Sequence, residues 1–166
     1  MDELGIFQDK LKDLFENTVF GDQILLKTKD GKAVTIKGYS QNLPIKTTDG
    51  ETTDDALQYD AQMPYFILRI DTGDLEPLEP KIVDWQLYFG VYDNDPNNQG
   101  HRDVLTLIGR AADYLQQHSL LLNQAYVKQD EPKHFILPDE DTWPYFFGML
   151  EFKTELRSKG VEDDNI

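Results

Sequence analysis

Twelve residues, Lys81 to Tyr92 (KIVDWQLYFGVY), alternate apolar and polar more regularly than any other part of the chain. Val83, Trp85, Leu87, Phe89 and Val91 fall on one side, with Asp84, Gln86, Tyr88 and Tyr92 on the other. Successive side chains of a strand point to opposite faces, so this period predicts a strand whose first face, with Trp85, is core. Soon after it, Val104, Leu105, Leu107, Ile108, Ala111, Ala112 and Leu115 recur at three- and four-residue steps. That spacing predicts a helix over 101–118 with a broad apolar stripe. A strand and a helix joined by so short a connector, DNDPNNQG, must lie close together, and the rest of the fold has to accommodate that pair.

The flanking segments extend the pattern. Leu4, Phe7, Leu11, Leu14 and Phe15 predict an N-terminal amphipathic helix over residues 3–19, ended by Gly21 and Asp22. Strand candidates at 23–29 and 32–39 meet at Asp30-Gly31, a dipeptide suited to a tight hairpin because its residues tolerate φ > 0. Residues 47–62 carry five acids, no base and no apolar period, which predicts a long exposed loop. Pro64 opens the strand candidate PYFILRI, and DTGDLEPLEP after it, with two prolines, reads as a connector rather than a central strand. Further strands are expected at 123–128, 134–137 and 145–156.

Strands come in runs instead of alternating with helices, which favours an α+β fold over a doubly wound one. The expectation is a mixed, largely antiparallel sheet with two main helices packed on one face. Residues 1–156 read as one domain and 157–166 as a charged, fraying tail.

Composition narrows the function classes. The chain has 166 residues, 39% of them hydrophobic, with nine Phe, eight Tyr and two Trp, enough to bury a core without staples. No run approaches the ~18 apolar residues of a membrane span, and the start, MDELGIFQDKLKDLF, lacks the basic region of a signal peptide. No membrane partner is expected. Cysteine is absent, which excludes disulfides, thiolate zinc sites and a cysteine nucleophile, and suits a reducing cytosol. The formal charge of −15, from 31 acids and 16 bases, repels phosphate, so sequence-specific nucleic-acid binding is not expected. It suits a surface past which nucleic acid slides without sticking.

The motifs that suggest chemistry fail on spacing. Asp93, Asp95 and Asn97 alternate like the first ligands of a calcium loop, but the sixth and twelfth places hold Asn98 and Val104 instead of Gly and Glu. A turn explains them better, since Asn and Asp tolerate left-handed backbone and Pro96 stops the strand. His101-Arg102-Asp103 resembles a kinase triplet, yet Ile108 stands where its Asn belongs, and no phosphate loop precedes it. Asp103 instead suits the first turn of a helix. His101, His118 and His134 lack the spacing of a zinc site, and none of the three serines lies in a nucleophile elbow. The expectation is a protein that is not an enzyme and uses no cofactor or metal. In Trp143-Pro144-Tyr145-Phe146-Phe147, the two Phe must face opposite sides of a strand. A second apolar side needs cover from a helix or a neighbouring subunit.

PYFILRI, the aromatic strand ending in VYDND, the helix HRDVLTLIGRAADYLQQHSLL, AYVKQ and the closing WPYFFGMLEFKTEL together form a pattern over roughly residues 62–156. That pattern resembles small tail proteins from the head–tail joining region of prophages of Gram-positive bacteria, related to tail terminator (tail completion) proteins. The resemblance implies a non-enzymatic virion component, made in the bacterial host cytoplasm. Such a component forms a ring, usually hexameric, on the last tail-tube ring, stops tube growth and presents a surface to the head. Its implied partners are copies of itself, the tail-tube protein and a head-completion protein. Candidate interface residues are Phe7 and Leu11 on the first helix, Asp54 and Asp55 in the acidic loop, and Tyr145 and Phe147 on the last strand. The competing reading is an acidic intracellular binding module, an inhibitor or DNA mimic, working as a monomer or dimer.

Overall fold

The N-terminal apolar stripe winds into helix α1 (Asp2–Leu14), which runs directly into one wider π-helical turn, Phe15–Phe20. The computed structural model describes residues 2–44, 47–48, 51–52, 63–77 and 79–157. Phe15, Val19 and Phe20 of the wider turn join Phe7 and Leu11 in the interior. The Gly21 N–H ends the turn by donating to the Glu16 carbonyl at 3.1 Å, the i→i−5 bond that defines such a turn.

A short antiparallel hairpin follows, β1 (Leu26–Lys27) with β2 (Ala33–Val34). Its turn is longer than the two-residue loop that Asp30-Gly31 suggests. Thr28 N–H donates to the Lys32 carbonyl at 2.8 Å, and Gly31 takes φ 83°. Strand β3 (Lys37–Ser40) then leaves the hairpin for the main sheet. Within the acidic stretch, β4 (Thr47–Thr48) pairs with β5 (Glu51–Thr52). Asp54 and Asp55 lie outside the described residues.

The main sheet is built on β6 (Tyr65–Asp74) and β7 (Lys81–Tyr92). After β7 come helix α2 (His101–Gln117), then β8 (Leu120–Leu121), β9 (Ala125–Val127), β10 (His134–Ile136) and β11 (Tyr145–Leu156). The strand order is β3-β6-β7-β11-β9-β8, with β10 also on β11. Only β3 and β6 run parallel among its described pairs. The fold is α+β. One boundary differs from expectation: β6 continues through Asp71–Asp74 into the segment read as a connector. Ile70 pairs with Trp85 and Thr72 with Asp84, so Asp71 is the extra residue of a bulge. Pro77 and Pro80 stop pairing only beyond that point.

Both helices cover the same face. The Phe7 ring of α1 lies 5.9 Å from Trp85, and Val104 of α2 presses on Gly148 of β11. A Cβ at Gly148 would sit 2.4 Å from the Val104 side chain, so glycine is what lets α2 approach the sheet. One contiguous core runs from Phe7 to Leu156. Trp85 is fully buried at its centre and donates its indole N–H to the Thr154 hydroxyl at 2.7 Å. Phe20 meets Phe66 and Phe89 edge-on at 5.3 and 5.8 Å, a geometry worth about 0.5–1.5 kcal/mol per pair beyond area burial. Buried Gln8 ties α1 to β6, donating to the Gln41 side-chain oxygen at 2.9 Å and the Leu68 carbonyl at 3.0 Å.

Candidate assembly surface

The connector between β7 and α2 is a chain of side-chain-to-backbone turns. The Asp93 carboxylate accepts the Asp95 N–H at 3.0 Å, and the Asp95 carboxylate accepts the Asn97 N–H at 3.1 Å. Asn98 takes φ 58° and donates its backbone N–H to the Asp95 carbonyl. Two contacts staple this turn to the loop before β11. The Trp143 indole N–H donates to the Asp95 carbonyl at 3.1 Å, and the Asn98 amide donates to the Asp141 carboxylate at 3.3 Å. The Asp93 and Asp95 carboxylates, two of the three groups that mimic a calcium loop, are shaping backbone.

Asp103, in the first turn of α2, is half-buried. Burial pushes its carboxyl above the ordinary range, and nearby Asp93 adds to the rise while Lys27 opposes it. The histidines are held apart: His101 begins α2, His118 follows its end with its ring 4.0 Å over Tyr114, and His134 lies on β10. Among the described residues, no three acids or histidines are grouped to hold a metal.

The face of β6, β7 and β11 away from the helices is graded along its length. At the connector end it is aromatic: Tyr145 lies opposite Tyr92 with rings 5.9 Å apart, and Phe147 lies opposite Gly90. In the middle, the Arg69 guanidinium stacks over the Tyr88 ring at 5.4 Å, and its buried Nε has no hydrogen-bond acceptor. Beyond, Gln86 pairs with Glu151 and Asp84 with Lys153. The Lys153 ammonium lies 3.1 Å from Glu131 and 3.4 Å from Asp84, and these two carboxylates hold its pKa above the usual value, Glu131 first.

Of the residues expected at an interface, Tyr145 and Phe147 do share this far face, two positions apart, both half-buried. Phe146 turns the other way and seats against Gly100 at the start of α2. Phe7 and Leu11 require a correction. Both are completely enclosed in the chain's own core, so neither is available to a neighbouring subunit. A one-layer sheet must cover its apolar face to fold, and α1 spends its stripe on that. The far face thus carries aromatic rings and Arg69, types enriched where proteins meet, beside Asp84, Glu151 and Lys153, types depleted there.

The two ends of the sheet also differ, in a way the sequence does not signal. Tyr145 pairs with Tyr92 at one end and Leu156 with Lys81 at the other. The first end carries the acids of the connector and of Asp139-Glu140-Asp141, beside Trp143, which is 46% exposed. At the second end, Glu3, Ile6 and Lys10 of α1 meet Lys81, Leu156 and Arg157 around a groove of about 580 Å³. Arg157 stacks over the Tyr126 ring at 5.5 Å and donates to its hydroxyl at 3.0 Å. Its three cations come from positions 10, 81 and 157, with no shared period to find them by. No protein-family model matches the chain, and no curated protein matches it.

Proposed function

We propose that the chain is a structural protein of a long-tailed phage virion, a tail terminator or head–tail joining subunit that works by self-association on the tail tube. The observation that carries the reading is where the resembling residues lie. The stretch 62–156 supplies β6, β7, α2 and β11, the continuous centre of the fold, and its closing WPYFFG segment turns Tyr145 and Phe147 onto the face away from both helices. A ring subunit needs partly exposed side chains that a neighbour can cover. Half-buried aromatics and charge pairs on a face remote from the helices meet that need.

The test is to add the purified protein to polymerising tail-tube subunits and measure tube length by negative-stain imaging. Shortened tubes with protein at one end are expected. Unchanged lengths, no binding to tube ends and a monomer at high concentration would overturn the proposal in favour of an acidic binding module.

A further inference from the structure

A head-to-tail interface joins two unlike patches of the same chain. The ends of this sheet have that relation. At one, Ile6 and Leu156 line a groove rimmed by Lys10, Lys81 and Arg157, in a chain of 31 acids and 16 bases. Glu3, the acid lining it among the described residues, is already paired with Lys81 at 3.7 Å. At the other end, roughly 36 Å away along β11 at ~3.3 Å per residue, exposed Asp139, Glu140 and Asp141 stand beside Trp143. We infer that the groove takes the Asp139–Trp143 loop of a second copy, so that copies associate head to tail through it.

Charge decides the pairing. Joining like ends would oppose cations to cations or acids to acids, whereas joining unlike ends sets Asp139, Glu140 and Asp141 against a groove whose cations outnumber Glu3, its acid among the described residues. Trp143 and Arg157 supply the side-chain types that most often anchor an interface, and 52%-exposed Ile6 supplies apolar area for the indole to cover. The inference rests on the self-association reading and adds to the far face a second contact, at the ends of the sheet.

The chain has no cysteine, so introduced thiols report without background. Gln124→Cys, Glu140→Cys and Asp163→Cys are made singly in the full chain. They are mixed in pairs with a short bismaleimide, both free in solution and on tube ends. Gln124 lines the groove without carrying its charge, and it and Glu140 are exposed, so their replacement leaves the core and the three cations intact. A crosslinked dimer is expected from the 124–140 mixture, absent from either variant alone and lost in high salt. Crosslinking of 124 to 163 instead would give the groove to the C-terminal acids and overturn the inference, as would equal crosslinking in all mixtures. If no 124–140 product forms under either condition, the contact is wrong. The tail reading then still stands or falls on tube length alone.

Discussion

The two faces of the β7–β11 pair alternate residue by residue along the same strands, yet they are made of different chemistry. Toward the helices stand Val83, Trp85, Leu87, Phe89, Leu150 and Phe152, all buried, with rings in contact and the indole hydrogen bond satisfied inside. Away from them stand Asp84, Gln86, Tyr88, Tyr92, Met149, Glu151 and Lys153, all half-buried and interleaving charge with aromatic surface. The first face binds the chain to itself, where shape and apolar area dominate. The second has residues that folding does not require to be apolar, and such positions are where contacts with other molecules can be encoded. Stability should therefore be lopsided across one pair of strands.

The largest expected effect is on the helix side. Trp85→Ala removes the ring at the centre of the core and should cost about 3–5 kcal/mol, read as a lower urea midpoint with unchanged slope. An unmoved midpoint would erase the contrast between the faces. A smaller loss is expected from Thr154→Val, which keeps the shape but leaves the buried Trp85 N–H without its acceptor at 2.7 Å. An orphaned buried donor costs about 1–3 kcal/mol. If Thr154→Val were neutral, the hydrogen bond would be irrelevant and apolar packing alone would distinguish this face. The smallest effect belongs to the far face. Lys153→Ala breaks ion pairs to Glu131 and Asp84 that are open to water and screened by it, so no resolvable shift of the midpoint is expected. A fall as large as that of Thr154→Val would show that both faces carry the fold.

Much of the architecture was legible because its signals are local. The period of Lys81 to Tyr92 gives that strand its limits and its buried face, and the stripe of Val104 to Leu115 gives α2. Trp143 to Phe147 announced a two-sided strand, and Phe146 and Phe147 do point to opposite sides of β11. The candidate surface was less legible. Phe7 and Leu11 form an apolar stripe whether a helix meets its own sheet or a neighbour, and spacing alone does not distinguish the two. The extension of β6 past Ile70 depends on a bulge at Asp71 and on pairing with Thr72 to Asp74, and no residue within that segment advertises it.

By itself, then, the sequence determined the central strands, both helices and the class of fold, since alternation and helical spacing are set by residues a few positions apart. Only the tertiary structure decided which apolar stripe is core. It also decided that Lys10, Lys81 and Arg157 meet at one end of the sheet while Asp139 to Asp141 stand at the other. Those outcomes depend on the full-length antiparallel register of β7 with β11 and on where α1 lies across it. Register and docking bring together residues more than a hundred positions apart, and that convergence is a property of the packed chain rather than of any segment within it.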